Sequence, residues 1–468
     1  MNRRRFFKNS AFGMAAGALT IPGNGFSQSS DLNQKYSGKR AKNIIFLVSD
    51  GMSSGTLQMA DLMLRMRDGK GSHWINLYRE NRATRALMDM SSASSVVTDS
   101  AAASSSWGGG FRVKNGRLNT GPDGQEYLPI LQKFKNVGKK VGCVTTVPIT
   151  HATPAGFCVI SKSRGEQAEI AEKYLNLRFD VMMGGGAKYF TERKDGRNLF
   201  EEYKSAGFQL IEKSSQLNSL TSDKPVMAVF DKDGLPFELD RLNTPELKST
   251  IPSLAEMTQK AIELMKENVN GFCLQVEAGK VDWAAHANDA AGLLYDQIAF
   301  DDAVRVALDF AEKDKETLVV ITTDHGNANP GLYDTDKAEE HFARLFSFNH
   351  TNDWVLKGLK PQASSSEITD RMMFAQGYQP EPEQLAYLVS RYAALNEKEK
   401  SNEYKLPFRE YGQYQSAQTY IGFGSTDHSS DFTELAMVGP GSEQLSSFIM
   451  NTDLHYFLLK VAEVENKF

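Results

Sequence analysis

The sequence predicts an α/β protein in which a mostly parallel central sheet is layered against helices. Two patterns predict it. Four short apolar runs rich in β-branched residues each lead to a polar or charged residue, which is how strands buried on both faces of a parallel sheet read. Between them lie longer stretches whose apolar residues recur at helical spacing. Ligands of such sheets bind at the carboxyl ends of the strands, so the residues that close the four runs are the first candidates for a functional site.

In chain order, the first strand is 43–49 (Asn-Ile-Ile-Phe-Leu-Val-Ser) and it runs into Asp50. Residues 96–110 read as an extended lead-in, then a helix of small residues from Ser100, then a glycine stop, with Asp99 or Thr98 as its N-cap. A second strand at 140–146 leads towards His151, and a third at 272–276 ends at Glu277. Helical patterns cover 252–268 and 289–313; in the latter Leu294, Ile298, Ala303, Val306 and Leu308 share one side. The fourth strand, 317–323, ends at Asp324 and His325. Residues 190–250 and 327–424 break the pattern with charged and polar stretches and read as insertions into one domain covering 28–468, the second of them as a surface subdomain over the mouth of the site. Its two histidines, His341 and His350, are expected on the surface. Leu454, Phe457 and Leu458 look like core contacts of a last helix, with His455 as a bystander.

Composition narrows the function classes. Lys and Arg total 53 against 58 Asp and Glu, a net charge of −5, so no basic surface for nucleic acid is indicated. Three cysteines cannot build a disulfide framework; Cys143 and Cys158 lie in apolar runs and are expected as buried thiols. Residues 1–27 have the basic start, short apolar middle and small-residue end of an export signal. Arg3-Arg4-Arg5-Phe6-Phe7-Lys8 fits the twin-arginine form, with cleavage expected near Ser27. That predicts passage through the twin-arginine export machinery to a periplasmic or secreted location. No later run of 18 apolar residues occurs, so no membrane span is expected.

The chemistry-bearing residues gather at the predicted strand ends. Asp50, Asp324 and His325 close two of the runs. Asp282 and His286 stand at i and i+4, which on a helix puts both on one face. Asp427-His428 closes a Gly-Phe-Gly-Ser-Thr run. Mixed Asp and His ligation suits Zn²⁺, and oxygen ligation suits Mg²⁺. Ser100, in the first turn of its helix, would meet unpaired backbone N–H groups that favour an anion. No G-x-S-x-G elbow is expected, so an α/β-hydrolase triad gets no support, and a metal is the better candidate for activating the Ser100 hydroxyl.

Taken together and in this order, Val97-Thr98-Asp99-Ser100-Ala101-Ala102, His151-Ala152-Thr153-Pro154-Ala155, Val276-Glu277 through Asp282 to His286, and Thr322-Thr323-Asp324-His325 resemble the alkaline phosphatase family. The resemblance runs from about residue 43 to 441. It implies a three-layer α/β/α sandwich with a mostly parallel central sheet and an inserted surface subdomain. It implies hydrolysis of small phosphate monoesters at alkaline pH through a phosphoserine on Ser100, releasing inorganic phosphate with net retention at phosphorus. It implies two Zn²⁺ and one Mg²⁺ per chain: Asp282, His286 and His428 for the first zinc, Asp50, Asp324 and His325 for the second, and Asp50, Thr153 and Glu277 for magnesium. Arg164 would hold the phosphate and Asp99 would orient Arg164. Family members are commonly homodimers, and the 327–424 insertion bears on that contact. The chain departs from the best-known bacterial pattern at two positions lining the phosphate pocket. His151 stands where that pattern has Asp, and Trp283 where it has Lys. Losing that ammonium predicts weaker inhibition by phosphate and a more alkaline optimum. A phosphodiesterase or sulfatase of the same superfamily, and a non-catalytic metal-binding protein, are the competing readings.

Overall fold

A computed structural model describes residues 38–334, 336–402 and 405–466; the expected export signal at 1–27 lies outside the described residues. The predicted strands form as β1 (Asn43–Ser49), β3 (Lys140–Pro148), β7 (Phe272–Ala278) and β8 (Thr317–Thr323). They are joined by β2 (Thr84–Asp89), β4 (Val181–Gly185), β5 (Gln209–Ile211), β6 (Val226–Val229), β13 (Thr433–Val438) and β14 (Phe448–Met450) in one ten-stranded sheet of order β14-β2-β13-β8-β1-β7-β3-β4-β6-β5. β13 runs antiparallel to both its neighbours, β2 and β8; the other pairs are parallel. β5 and β6 come from the 190–250 segment, which extends the sheet at one edge.

Period-two alternation sorts the strands between two cores. Ile44, Phe46 and Val48 of β1 face one core, with Leu318 and Val320 of β8. Ile45 and Leu47 face the other, with Val319 and Ile321. The first core is closed by α2 (Ser100–Gly109), α3 (Ala152–Cys158) and α11 (Asn451–Val461), which supply Trp107, Phe157, Leu454 and Leu458. The second is closed by α4 (Leu254–Met265), α5 (Lys280–His286) and the 25-residue α6 (Ala290–Asp314). Sheet and two helical layers make the α/β/α sandwich. A further helix, α1 (Ser54–Asp68), lies against α6 through Met59, Met63 and Leu294. Cys143, Cys158 and Cys273 are buried free thiols in these cores, and the first two stand 3.6 Å apart.

Small residues let α2 and α3 touch. All ten residues of α2 are buried, and a Cβ added at Gly156 would lie 2.3 Å from the Ser104 hydroxyl. The run of Ala, Ser and Gly in α2 is therefore a packing requirement as well as a signal of helix ends.

Between residues 327 and 424 two short ribbons bring the ends of the segment together. β9 (Gly326–Asn327) pairs with β12 (His428–Ser429), and β10 (Gly331–Leu332) with β11 (Ile421–Gly422), both antiparallel. The enclosed helices α7 (Asn352–Gly358), α8 (Ser365–Gln376), α9 (Pro382–Ala393) and α10 (Phe408–Thr419) gather their own core around Val355, Leu356, Met372, Tyr392 and Tyr411. His350 departs from the surface position expected of it. It is 4% exposed, and its Nδ1 donates to Asp240 Oδ1 at 3.0 Å. The partner is 110 residues away, so local polarity gave no sign of it. No helix among the described residues is long and apolar enough to cross a membrane.

Candidate active site

The four predicted strand ends meet. β7, β1 and β8 are adjacent in the sheet, so Glu277, Asp50, Asp324 and His325 emerge side by side. All four are buried. Gly51 makes the crowding feasible. Its φ is +65°, and a Cβ there would lie 2.4 Å from Asp282 Oδ1; only glycine fits.

Three groups of candidate ligand atoms result, each drawn within 4.8 Å. Asp282, His286 and His428 form the first. His286 and His428 point Nε2 at the Asp282 carboxylate, at 3.4 and 3.5 Å, and their own Nε2 atoms are 3.1 Å apart. Asp50, Asp324 and His325 form the second, with His325 Nε2 3.5 Å from Asp50 and 3.2 Å from Asp324. Asp50, His151 and Glu277 form the third. Thr153 adjoins it, its hydroxyl donating to Asp50 Oδ2 at 3.2 Å. Asp50 belongs to both the second and third groups.

The imidazoles are set by their far nitrogens. His286, His428 and His325 turn Nδ1 to the backbone oxygens of Thr426, Thr98 and Gly326, at 2.6, 2.9 and 3.3 Å. Each bond places an N–H on Nδ1 and turns Nε2 to the cluster, the arrangement in which histidines bind metals; with the protein's own charges alone, burial of His286 is overcome by the Asp282 carboxylate, which pushes the ring up to about 9. Asp282 is fixed in turn by Asn327, whose amide donates to Oδ1 at 2.7 Å.

The acceptor inventory fits cations. Asp50 Oδ1, Asp324 Oδ2 and Glu277 Oε1 are buried and accept no hydrogen bond, a costly state for a carboxylate. With the protein's own charges alone, burial pushes Glu277 and Asp324 up to about 7. Asp50 is driven well above the carboxylate range by burial and by the charges of Asp324, Asp282 and Glu277. Burial, together with the nearby His428, holds His325 down to about 3. Desolvation outweighs the local hydrogen bonds at Asp50, Glu277 and Asp324, so these three either take up protons or share divalent cations, whereas at Asp282 the surrounding imidazoles outweigh burial and hold its carboxyl well below the usual range. The unpartnered oxygens and inward Nε2 atoms suit the second outcome.

Ser100 opens α2, capped by Asp99, whose Oδ1 accepts from Ala102 N at 2.9 Å. The Ser100 hydroxyl is 3.3 Å from His325 Nε2. Arg164 enters from the loop after α3; it donates to Asp99 Oδ2 at 3.1 Å and to His151 Nε2 at 3.1 Å. That bond requires an unprotonated Nε2, and His151 is held down to about 3 by burial and by the Arg164 charge. Trp283 stands edge-on to His151 at 6.1 Å between ring centres. All thirteen residues singled out from sequence thus lie in one connected cluster at the strand ends.

Two features escape the sequence reading. Asn327 carries no motif signal; only its place two residues after His325 and its pairing with His428 across β9 and β12 bring it to Asp282. Gly51-Met52-Ser53-Ser54-Gly55 spells a G-x-S-x-G elbow between β1 and α1, but its Ser53 hydroxyl bonds Asn329 Oδ1 at 2.9 Å and accepts from Asn327 N at 3.0 Å. It ties loops together.

A serine at a helix start, an arginine anchored beside it and three carboxylate–imidazole groups define a metal-assisted phosphoryl-transfer site on an α/β/α sandwich. The known proteins agree. Residues 41–464 match the family described as Alkaline phosphatase. The chain is 28% identical to alkaline phosphatase 4 of Bacillus subtilis, over 90% of this chain and 88% of that one. It is 30% identical to the alkaline phosphatase of Escherichia coli, over 72% and 84%. The structure of the Thermus thermophilus alkaline phosphatase superimposes with a TM-score of 0.84 at 27% identity, covering 96% of each chain. The chain belongs to the alkaline phosphatase family. It is an enzyme that hydrolyses phosphate monoesters, by the phosphoserine route general to that metal-dependent family.

Proposed function

We propose that Ser100 is the nucleophile of this hydrolysis and that the three side-chain groups around it hold two Zn²⁺ and one Mg²⁺. Asp282, His286 and His428 would hold one zinc, and Asp50, Asp324 and His325 the other. The oxygen-rich set of Asp50, Thr153 and Glu277 would hold magnesium. His151 also faces that set, and its imidazole permits Zn²⁺ as an alternative occupant if its Nε2 exchanges the bond from Arg164 for the cation. When bound, these cations supply the Lewis acidity that makes a serine alkoxide and an alcohol leaving group accessible near neutral pH.

The chain's own residues do the rest. The Ser100 oxygen attacks phosphorus in line, and the ester oxygen departs on the opposite side, leaving a phosphoserine. Arg164, held in place by Asp99, offers its planar fork to two non-bridging oxygens of the phosphoryl group. The N–H groups of the first turn of α2 face the same negative charge. Asp99 and His151 together restrict the guanidinium, which lowers the entropy lost on binding phosphate. Water then attacks the phosphoserine from the side the alcohol vacated, the Ser100 Oγ–P bond breaks, and inorganic phosphate leaves with the serine hydroxyl restored. Two inversions give retention.

The observation that carries this reading is the 3.3 Å approach of the Ser100 hydroxyl to His325 Nε2, the imidazole that also meets Asp50 and Asp324. Acid quenching during turnover of a radiolabelled phosphate ester should leave label on the peptide containing Ser100. Ser100→Ala should remove the label and cut turnover at least about a thousandfold. Label on another residue, or an active alanine variant, overturns the assignment.

The reading includes export through the twin-arginine machinery to the periplasm or the medium, supported by the Arg-Arg sequence at positions 3 and 4. It also includes a homodimer, supported by Leu87, Phe432 and Phe448. These are exposed apolar side chains, the last two with rings 5.4 Å apart, at the β2–β14 edge of the sheet.

A further inference from the structure

Arg164 is gripped at both ends, and Gly116 takes part in both grips. The Gly116 N–H donates to Asp99 Oδ2 at 2.9 Å, the oxygen that also accepts from the Arg164 guanidinium at 3.1 Å. The Gly116 carbonyl oxygen accepts from the Arg164 backbone N–H at 2.8 Å. Asp99, Gly116 and Arg164 thus close a ring of three hydrogen bonds. We propose that Gly116 is a positioning residue for phosphate binding, its peptide groups setting the Arg164 fork where the phosphoryl oxygens meet it. This rests on the role given to Arg164 above and goes beyond it.

The backbone at this position explains the glycine. Residues 114–117 form a turn closed by Arg117 N donating to Lys114 O at 3.1 Å. Gly116 has φ +84°, while Asn115 before it does not adopt a positive φ, the pattern of a type II turn. A residue that resists positive φ favours the type I turn, in which the peptide between the two central residues is rotated by roughly half a turn. That peptide carries the N–H given to Asp99, so the type I form would point it away. A Cβ at Gly116 meets no heavy atom within 4 Å. A side chain there therefore acts through φ, without a clash, and on a turn flanked by the exposed Lys114 and Asn115 it leaves the core untouched.

The turn is tied to both of the segments it joins. Asn115 donates from Nδ2 to Val97 O and from its backbone N–H to Ser94 Oγ, each at 3.0 Å, which fastens it to the lead-in of α2. On the other side Leu118 and Ser161 exchange both backbone bonds at 2.9 Å, which fastens it to the loop that carries Arg164. Asp99 Oδ1 meanwhile caps α2 beside Ser100. One set of contacts therefore couples the place of the nucleophile to that of the arginine. With the Gly116 N–H turned away, Asp99 Oδ2 loses a donor, and the guanidinium has a wider range of positions to give up on binding phosphate.

The test uses the full chain loaded with Zn²⁺ and Mg²⁺ and reads inorganic phosphate as a competitive inhibitor of aryl phosphate hydrolysis. Gly116→Ala should raise the Ki for phosphate about tenfold. Gly116→Asn, which tolerates a positive φ, should stay within about threefold of the parent. Arg164→Ala should raise the Ki on its own, and adding Gly116→Ala to it should change the Ki by less than about twofold, because the ring acts through the guanidinium. A turn that served stability alone would show its full effect in both backgrounds. A parental Ki in Gly116→Ala, an equal loss in Gly116→Asn, or an undiminished loss in the Arg164→Ala background overturns the positioning role and leaves the reading of Ser100 and Arg164 standing. A parental Ki in Arg164→Ala overturns the phosphate-binding role of Arg164, and the role of Gly116 with it.

Discussion

The Asn327 side-chain amide donates to both ends of Asp282, to carboxylate Oδ1 at 2.7 Å and to the backbone oxygen at 3.2 Å. Asn327 touches no proposed metal, yet it fixes the rotamer of the carboxylate on which His286 and His428 converge. Groups that orient a metal ligand typically contribute about 10–100-fold in affinity. Asn327→Ala should therefore raise the dissociation constant for Zn²⁺ at the Asp282 group by about that factor, with activity recovering as Zn²⁺ is added. Metal titration against a competing chelator measures it; an affinity equal to the parent's would show that Asp282 needs no such support.

Trp283 stands edge-on to His151, whose Nε2 accepts from Arg164, at the position where the familiar bacterial pattern has an ammonium, and we propose that it lines the phosphate pocket. Trp283→Lys adds a cation near the Arg164 fork, which would strengthen binding of the phosphate dianion. We expect the Ki for inorganic phosphate to fall about tenfold, kcat to fall because product leaves more slowly, and the optimum to move to lower pH. Inhibition constants across pH decide it, and the absence of any tightening would mean the indole does not govern phosphate release.

The strands and the site were legible for one physical reason. Strands buried on both faces must be apolar throughout, so β1, β7 and β8 stand out as runs, and the residues at the end of each run sit at the sheet's functional edge. Asp50, Glu277, Asp324 and His325 could be placed from that alone. Asp282 with His286 needed only the helix repeat. Arg164 and Trp283 carry no such periodic mark; their places came from motif resemblance. β5 and β14 have three residues each, and β2 is half exposed, with Arg85 and Leu87 outside and Ala86 and Met88 inside, so no long apolar run announces them. His350 and Asp240 form a buried pair between segments far apart in sequence, and Asn327 acts through a two-residue strand; contacts of that kind depend on tertiary placement that no local pattern encodes.

Removing the cations should expose the cost of gathering Asp50, Glu277 and Asp324. In the chelated protein Glu277 and Asp324 lie at about 7, above the roughly 4 of an unfolded chain. Between those values the folded state binds more protons than the unfolded one, so stability falls as pH rises from about 4 to about 7. The metal-loaded enzyme escapes this because the carboxylates stay ionised against the cations, and ligand binding adds stability in proportion to its affinity. Thermal unfolding with and without chelator, at pH 5.5 and pH 8.5, should show a larger drop in Tm on chelation at pH 8.5. An equal drop at both values would mean that burial does not hold these carboxylates above their ordinary range.

His455 offers a pH response of the opposite sign, far from the cluster. It is fully buried on α11, its Nδ1 donates to the Trp107 carbonyl oxygen at 2.7 Å, and its Nε2 accepts from the Lys133 ammonium at 3.1 Å. Both bonds require the neutral ring, so α11 is pinned to α2, the helix that presents Ser100, by an imidazole that cannot be protonated in place. Burial and the Lys133 charge hold it down to about 4. An unfolded chain takes up the proton near 6.5. Between about 6.5 and 4 the unfolded state therefore binds more protons, and this residue's contribution to stability is lost as pH falls through that window. His455→Gln keeps an amide donor and acceptor but does not titrate. It should cost stability at pH 7.5, and that deficit should shrink by up to about 2 kcal/mol at pH 5. Urea unfolding of both proteins at the two pH values, each with metals supplied, gives the comparison; a deficit independent of pH would mean that the imidazole is protonated in the folded chain, and that its bond to Lys133 is not the one that holds α11.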